Sequence, residues 1–577
     1  MGRSRRVVVA LVSIGFVAAA CGGDNSSSQP TTTAAAPGPA TTPVVAGPTS
    51  TATTATATTA ATTTTVPQPK PGGKLTVRVE AEVGNPWTPA NMQCDAACYV
   101  RARTFFETPM AIDDTDKKPK PYLAQALTHN ADYTVWTMTL RPGISFTDGT
   151  PLNADAVVAN ADRVKKSLLL GAAVVDIDAT KKVDDLTVEY DMKRPWVYFD
   201  YGLTTQGAFM ASPTWLAAVD ADPAKATQPV GTGPFILDTF RPGDETIVKK
   251  NPNYWRKSEG LPYLDEIDFK VVVDDLSAGN AMATGQFDLM HTKNGDTIKR
   301  FKSDPKFVFD AQTDYSETNY ILFNVGQDGS PLQDQDLRCG LVAATDAQTL
   351  IDTTGAGQFP LANGLFSPGQ QGHLDDSGNQ TYDPAKAKEL IGQWSAAHGG
   401  AKPHIVFSTI TDSTALQTAQ LLQQWWQAAG AQVDIIQLDQ SKLITNALLG
   451  DPQFMAFGWR NHAGYVLDNQ YIWWHSSQAL PPGQLALNFG RLKDPVIDQL
   501  LDDAHTSPDP AKGEADAEAV NREFAKQCWA IPVSWQVWGI VSKPTVHGLQ
   551  DATFPGGAAG HLRGSYGTYW LQNAWVG

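Results

Sequence analysis

Side chains that could perform catalysis or hold a metal are plentiful, but their spacing matches no catalytic motif. The sequence contains no His-Glu-x-x-His, no Gly-x-Ser-x-Gly and no Ser-x-x-Lys with convincing companions. Three histidines of the second half, His404, His462 and His475, do not have metal-ligand spacing. Because Asp and Glu are abundant, a carboxylate pair for glycoside hydrolysis stays open. The sequence predicts a protein that is not an enzyme and that has no metal site and no cofactor.

Cys21 is the side chain whose context predicts a covalent modification. Three arginines precede an apolar run over residues 7–20, which is too short to span a bilayer and ends in alanines directly before Cys21. This arrangement resembles a bacterial lipoprotein signal, in which the cysteine becomes the acylated first residue. We expect a signal peptide over residues 1–20 and a lipid anchor on Cys21. The alternative is an ordinary signal peptide cleaved at the Ala-x-Ala site, with Cys21 incidental.

Residues 21–70 have the composition of a spacer. They are almost wholly Thr, Ala, Pro and Ser, with no aromatic residue. Too few large apolar groups are present to offset the loss of chain entropy on folding. We expect a disordered tether that holds the following domain away from the envelope.

The four remaining cysteines form an even set in what the signal predicts to be an oxidising compartment. Cys94 and Cys98 are close enough to close a small loop, which leaves Cys339 and Cys528 for a long-range bridge. Three connectivities are possible, and this one is favoured. The C-x3-C spacing argues against a redox pair, and the absence of clustered thiols or histidines argues against zinc.

The length and the net charge of the chain limit its domain organisation and the kinds of partner it can bind. About 500 residues follow the tether. Because a single hydrophobic core usually supports fewer residues than this, we expect two lobes. The net charge of −16 argues against nucleic acid as a partner. No later apolar stretch is long enough for a membrane span. We expect a globular, monomeric domain on a lipid anchor.

Local patterns predict mixed helices and strands. Alternation indicates strands over 74–80 and 136–141, and a Gly430 cap separates a helix over 416–429 from a strand over 432–438. The sequence predicts a helix over 154–164. It predicts another over 384–394, with Asp383 as the N-cap of this second helix. The glycines at 231 and 233 lack the Lys-Ser/Thr of a phosphate loop and are interpreted as a tight backbone corner. The pattern is that of an α/β protein.

Motifs in a fixed order resemble the peptide-binding family of ABC-transporter substrate-binding proteins, which includes dipeptide, oligopeptide and nickel binders. The most recognisable are Leu140-Arg-Pro-Gly-Ile-Ser-Phe-Thr-Asp-Gly-Thr-Pro-Leu152, Pro229-Val-Gly-Thr-Gly-Pro-Phe235 and Lys250-Asn-Pro-Asn-Tyr-Trp255. Further matches lie at 106–109, 121–124, 261–267, 285–288, 322–324, 331–338, 382–388 and 458–459. The resemblance runs over essentially the whole chain after the tether. It identifies the chain as a solute-binding protein of family 5.

The resemblance implies a two-lobed, type II periplasmic-binding-protein fold that closes over a ligand in a cleft between the lobes. The first lobe is expected over 71–317 plus 534–577 and the second over 318–533. The two crossings between lobes are expected to form the hinge. The closed form is expected to dock on an ABC permease in the membrane.

The resemblance also points to ligand contacts. In peptide-binding members an aspartate three residues after the Gly-Trp pair binds the free amino group of the peptide. Here Gly458 and Trp459 are followed by His462 at that position, and an imidazole cannot neutralise an ammonium. Asp468 could substitute if the loop is longer. Asn85, Trp87 and Trp473 complete the expected set of ligand-binding residues, with the tryptophans stacking on an apolar, sugar or flat ligand.

These features predict a lipid-anchored solute-binding component of an ABC importer on the outer face of the cytoplasmic membrane, with oligopeptides as substrates. One alternative is a non-peptide solute such as an oligosaccharide or glycolipid headgroup. Another is an envelope regulatory lipoprotein that reuses the fold without transport. The departure at His462 puts ordinary free-amine peptide recognition in question.

Overall fold

The structure, a computed structural model, describes residues 68–82, 87–313, 317–461, 464–550 and 552–577. Cys21, the predicted signal peptide and nearly all of the predicted tether lie outside these residues. Asn85 and His462 lie outside them as well. Within the described ranges, no helix combines the length and the apolar character needed to cross a membrane.

Helices and strands alternate along the described chain. The strands are β1 (Lys74–Val79), β2 (Met110–Ile112), β3 (Pro119–Pro121), β4 (Ala124–His129), β5 (Val135–Leu140), β6 (Ile177–Lys182), β7 (Thr187–Met192), β8 (Phe235–Arg241), β9 (Glu245–Lys250), β10 (Glu266–Val271), β11 (Leu289–Thr292), β12 (Val308–Gln312), β13 (Thr318–Phe323), β14 (His404–Ile410), β15 (Gln432–Leu438), β16 (Ala456–Asn461), β17 (Ala530–Trp535), β18 (Trp538–Ser542), β19 (Val546–His547) and β20 (Trp575–Val576). The helices are α1 (Ala96–Phe105), α2 (Ala154–Lys165), α3 (Phe199–Gly202), α4 (Pro213–Ala221), α5 (Asp275–Ala283), α6 (Gly295–Lys302), α7 (Gln335–Ala343), α8 (Ala347–Thr354), α9 (Pro384–Ala397), α10 (Ser413–Ala429), α11 (Gln440–Leu449), α12 (Tyr471–Trp474), α13 (Pro495–Thr506) and α14 (Pro510–Gln527).

The locally predicted elements are confirmed. The predicted strands correspond to β1, β5 and β15, and the predicted helices to α2, α9 and α10. Asp383 caps α9, because its side chain accepts from the backbone N–H groups of Ala385 and Lys386. Gly430 ends α10 in the left-handed conformation, with φ of 118°. Capping and periodicity are local signals, which explains why they sufficed here.

The largest sheet has seven strands in the order β12-β18-β11-β1-β10-β9-β8. Its centre is parallel, because β1 runs alongside both β10 and β11 in the same direction. Leu75, Val77 and Val79 of β1 are fully buried and pack with α1 residues in one apolar cluster. The carboxyl ends of β1, β10 and β11 therefore meet at one edge of a well-packed core.

A second sheet has five strands in the order β15-β14-β16-β13-β17. Successive side chains of β13 enter different apolar clusters: Ile321 and Phe323 belong to one, Tyr320 and Leu322 to another. Because side chains alternate across a strand, both faces of this sheet are covered. A separate four-stranded sheet, β4-β5-β7-β6, has its own apolar cluster.

The chain passes from the seven-stranded to the five-stranded sheet between β12 and β13, and it returns between β17 and β18. Ser534 and Trp535, which the sequence prediction placed in the first lobe, lie in β17 of the five-stranded sheet. The assignment of 71–317 plus 534–577 and 318–533 to two lobes stays a prediction.

Two disulfides join the cysteines of the described chain, Cys94–Cys98 and Cys339–Cys528. This is the pairing that the sequence favoured. The first spans the beginning of α1. The second links α7 to the residue that ends α14 and closes a loop with a sequence separation of 189 residues. Such long-range bridges restrict the unfolded chain most.

Gly231 and Gly233 lie against the carboxyl end of α1. The Gly233 N–H donates to the Phe105 carbonyl at 2.8 Å. A Cβ at Gly231 would lie 2.1 Å from Phe105 O, and one at Gly233 would lie 2.4 Å from Thr104 O. The interpretation of this segment as a tight backbone corner is confirmed, because no side chain fits between the two backbones.

Substituting Gly233→Ala is expected to lower the free energy of unfolding by about 1–3 kcal/mol or more, because the methyl group must displace backbone. Chemical denaturation of the purified protein measures this loss. Gly392→Ala is the matched control, since Gly392 lies inside α9 with no atom within 4 Å of its added Cβ. The control should keep or raise stability by up to about 1 kcal/mol. Equal stability of the two variants would contradict the expected close approach.

Candidate ligand-binding cavity

A cavity of about 1180 Å³ lies between the seven-stranded and five-stranded sheets. Its wall includes Glu80 after β1, Lys293 after β11, Thr409 near the end of β14 and Arg460 near the end of β16. Ligands of α/β proteins bind beyond the carboxyl ends of parallel strands, where loops diverge. The volume is larger than the roughly 300–1,000 Å³ of ordinary small-molecule sites. A solute larger than a single metabolite therefore fits.

One face of α1 forms part of the wall. Asp95, Tyr99 and Arg103 line the cavity at intervals of four residues, the spacing that places helical side chains on one face. Asp95 is also the N-cap of α1, because its Oδ1 accepts from the Cys98 N–H at 3.0 Å. Burial, together with the nearby Glu80 carboxylate, raises the pKa of Asp95. Along the helix axis Asp95 and Arg103 are about 12 Å apart.

Arg103 contributes a guanidinium to the cavity. Its Nη1 donates to Thr568 Oγ1 at 3.0 Å, and its Cζ lies 4.7 Å from the ring centre of Trp570 and 5.6 Å from that of Tyr99. Burial lowers the pKa of Arg103, and only the Tyr99 and Tyr465 hydroxyls oppose this effect. Among the residues that the structure describes, no carboxylate pairs with Arg103.

Arg460 and Lys293 add two further cations. Arg460 Nη1 lies 3.1 Å from Glu317 Oε2, and its guanidinium lies over the Trp538 ring at 5.2 Å. The positive charge of Arg460, followed by burial, lowers the pKa of Lys293. No hydrogen bond or ion pair joins Lys293 to another described residue. The carboxylates of Glu80, Asp275 and Asp95 oppose this lowering, so the two cations lie among acidic side chains.

The carboxylates of the cavity wall have protein donors. Four of them contact basic side chains: Glu80 with His291, Glu82 with Arg101, Asp176 with Arg194 and Asp275 with Arg78. Glu107 accepts hydrogen bonds from Tyr254, Trp255 and Thr232. Asp412 caps α10 by accepting from the Ala415 N–H. These acids are consequently engaged in holding the wall together.

Gly458, Trp459 and Trp473 line the cavity, and their contact with a ligand stays a prediction. Both tryptophans meet Phe489 edge to face, with ring centres 5.0 Å and 5.5 Å apart. The two indoles therefore share Phe489 as an aromatic neighbour. An apolar or flat part of a ligand could lie against them.

Asp468 also lines the cavity, but its carboxylate is engaged. Oδ2 accepts from Trp196 Nε1 at 2.8 Å, and Oδ1 lies 2.6 Å from His505 Nδ1. The side chain is only 8% exposed. The structure therefore places Asp468 at the cavity without leaving its carboxylate free for the amino group of a peptide.

Trp87 is a correction to the sequence prediction. Its side chain is fully buried in the core of the seven-stranded sheet and does not line the cavity. It packs edge to face on Phe105 and Phe240, with ring centres 5.1 Å and 5.5 Å apart. The prediction that Trp87 stacks on a ligand is therefore wrong. The predicted roles of Asn85 and His462 stay predictions, because both lie outside the described residues.

The sequence prediction missed Arg103, Lys293 and Arg460. One signal could have indicated Arg103: it follows Asp95 and Tyr99 at helical spacing in the segment that becomes α1. The positions of Lys293 and Arg460 depend on sheet pairing between distant strands, which no local pattern shows. In the described part of the chain, no group of His, Cys, Asp and Glu is arranged to hold a metal.

Comparison with known sequences assigns the family. Residues 118–480 match the bacterial extracellular solute-binding proteins, family 5 Middle, and this match covers more than half of the chain. The chain belongs to this solute-binding family. The resemblance found in the sequence motifs is thereby confirmed.

Individual relatives with printed names are similar to this chain over most of its length. It is 30% identical over 348 residues to the glutathione-binding protein GsiB of Salmonella typhimurium, covering 60% of this chain and 66% of that protein, just under two thirds. It is 26% identical over 475 residues to the nickel-binding periplasmic protein of Escherichia coli, covering 78% of this chain and 87% of the relative.

Solved structures share the fold. The oligopeptide-binding protein AppA of Bacillus subtilis, in complex with a nonapeptide, superposes with a TM-score of 0.75 at 19% identity, covering 88% of this chain and all of that one. AgaA of A. tumefaciens R10, in complex with agropinic acid, superposes with a TM-score of 0.76 at 20% identity, covering 88% of this chain and 99% of AgaA. The family 5 chain therefore has the α/β fold of type II periplasmic binding proteins.

Asp468→Asn is expected to lower the free energy of unfolding by about 1–3 kcal/mol, because a neutral amide replaces a carboxylate between Trp196 and His505. Thermal or chemical unfolding measures the change. Asp375→Asn is the matched control, since the Asp375 carboxylate is fully exposed, and it should change stability by no more than about 0.5 kcal/mol. If both variants unfold alike, the carboxylate of Asp468 is not engaged as described.

Proposed function

We propose that this chain is the solute-binding component of an ABC importer and that it captures oligopeptides in the cavity between its two large sheets. The observation that carries the proposal is the cavity itself, which is built by strand ends of both sheets. Its volume suits an extended solute of several residues. The relatives bear printed names that refer to glutathione and nickel, and one structural neighbour holds a nonapeptide.

The proposed capture depends on movement of two lobes. We assign residues 71–317 plus 534–577 to one lobe and 318–533 to the other, with the passages β12–β13 and β17–β18 as the hinge. Contacts that a ligand makes with both walls favour the closed state, because the open state lacks half of them. The closed form then delivers the solute to the permease.

A non-peptide solute is the second candidate, and the state of Asp468 favours it. Its two carboxylate oxygens already contact Trp196 and His505. A free peptide amino group would have to displace one of these contacts. One structural neighbour binds agropinic acid, which shows that the shared fold also accommodates ligands other than peptides.

Native mass spectrometry tests which candidate holds. The full chain is purified from the membranes of its own organism in mild detergent and measured before and after denaturation. A ladder of short peptides released on denaturation is expected. A single non-peptide mass would support the second candidate instead. A chain without bound solute that also retains nothing from peptide and sugar libraries would overturn the binding function.

We further propose that a lipid on Cys21 anchors the chain outside the cytoplasmic membrane. Cys21→Ala is expected to shift the protein from the membrane pellet to the soluble fraction, because its one acylation site is lost. Fractionation followed by immunodetection measures this shift. Cys21→Ser should behave in the same way, whereas Ser26→Ala should stay in the pellet. Membrane attachment of both cysteine variants would contradict lipidation.

A further inference from the structure

We infer that a clasp of charged and aromatic side chains holds the four-stranded sheet onto the helices of the five-stranded sheet, and that this clasp must open for a solute to enter or leave the cavity. The clasp is defined as Asp176, Arg194, Trp196, Asp468, Asp502 and His505. The first three adjoin β6 and β7, and the last three lie in or beside α12 and α13. This inference rests on the proposed solute-binding function and adds the contact that controls exchange of the solute.

The inner part of the clasp is built around His505. Its Nδ1 lies 2.6 Å from Asp468 Oδ1, and its Nε2 lies 3.4 Å from Asp176 Oδ2. The imidazole stacks on Trp196, with ring centres 5.1 Å apart, and Trp196 Nε1 donates to Asp468 Oδ2 at 2.8 Å. The Val197 N–H donates to the His505 carbonyl at 3.1 Å. Side chains and backbone of both sides are therefore in contact at this point.

The outer part of the clasp is an arginine shared between the two sides. Arg194 donates to Asp176 Oδ2 at 3.0 Å on its own side and to Asp502 on the other side. Its guanidinium also lies over the Tyr471 ring, 5.1 Å from the ring centre. One guanidinium thus links the end of β7 to both α12 and α13.

The clasp lies between the cavity and bulk water. Trp196, Asp468 and His505 line the cavity. The side chains of Arg194 and Asp502 are 27% and 40% exposed. A few side chains in contact close this part of the cavity, and separating them gives a path to solvent.

The two sides of the clasp belong to different apolar cores, which allows them to separate. Trp196 is part of the cluster of the four-stranded sheet, whereas Leu501 of α13 shares a cluster with Tyr320 of β13. The clasp joins these cores through hydrogen bonds, ion pairs and stacked rings. Because water replaces hydrogen bonds and ion pairs when the sides part, the clasp can open without unfolding either core.

Hydrogen exchange at the Val197 amide measures how often the clasp opens. The full chain in detergent is labelled in deuterated water, and mass spectrometry with fragmentation to single residues compares Val197 with the amides of β5. In wild-type protein the Val197 amide should exchange faster than the β5 amides, because the clasp opens while the four-stranded sheet stays folded. Equal exchange at Val197 and β5 would overturn a separate opening.

Two variants weaken the clasp at different places. Asp502→Asn removes the charge that Arg194 reaches across the clasp and should speed Val197 exchange, relative to β5, about two- to fivefold, as expected for a partly exposed ion pair. Trp196→Phe removes the donor to Asp468 but keeps a stacking ring, and it should speed this relative exchange about tenfold. Unchanged relative exchange in both variants would refute the clasp.

Each clasp variant has a matched control. Asp503→Asn alters the neighbouring carboxylate of α13, which pairs with Lys512 of α14 and not with the four-stranded sheet. Trp215→Phe removes another indole donor, which contacts the Lys225 carbonyl. Both controls should keep the wild-type ratio of exchange between Val197 and β5. A rise as large as that in the clasp variants would mean that the effect is not local, and it would overturn the assignment.

A cysteine placed inside the cavity tests whether the clasp controls access. Thr409→Cys puts a thiol on the cavity wall, and its rate of reaction with N-ethylmaleimide is measured by peptide mass mapping. Combined with Asp502→Asn, this rate should rise by about the factor seen for Val197 exchange, and combined with Asp503→Asn it should not. An unchanged rate with Asp502→Asn would show that the cavity is reached by another path, which would overturn control of access by the clasp.

These measurements need no solute, so their failure is distinguishable from failure of the proposed function. If native mass spectrometry finds no solute but both rates respond to Asp502→Asn, the solute-binding proposal fails and the clasp stands. If a solute is bound and neither rate responds to Asp502→Asn or Trp196→Phe, the clasp fails and solute binding stands.

Discussion

The buried carboxylate of Glu317 determines how the two sheets are joined. Its side chain is 3% exposed and lies in the first passage between the sheets. It accepts from Arg460 of β16 and from Trp538 at the start of β18, while its backbone carbonyl accepts from the Gln536 N–H of the second passage. A buried carboxylate that lost these donors would be strongly destabilised. Glu317 thus contacts both passages and the end of β16, and its partner Arg460 lines the cavity.

The charged side chains around the cavity have neighbours within the protein. Carboxylates such as Asp275 and Asp468 hold neighbouring segments by accepting from Arg78, Trp196 and His505. Arg103 donates to Thr568 and lies over the Trp570 ring, and the carboxylates of Glu80, Asp275 and Asp95 act on Lys293. Trp459 and Trp473 add apolar area to the same cavity.

The sequence revealed the fold more completely than the site. Elements such as α9 and α10 have their signals within a few residues, at Asp383 and Gly430, and the order of family motifs supplied the overall architecture. Side-chain environments depend on partners far along the chain. Trp87 became a core residue because Phe240 from β8 covers it, and Asp468 became engaged because Trp196 lies against it. Arg103 is the instructive intermediate case, since helical periodicity placed it on a common face with Tyr99 but could not show what that face contacts.

The bridge between Cys94 and Cys98 spans the first turn of α1, the helix that carries Tyr99 and Arg103 to the cavity. Disulfides form in oxidising compartments and are rare in the cytoplasm. On the proposed route of export, a newly made chain therefore lacks the covalent brace on this helix until it has left the cell. The wall of the cavity that α1 forms therefore receives its covalent brace only after secretion.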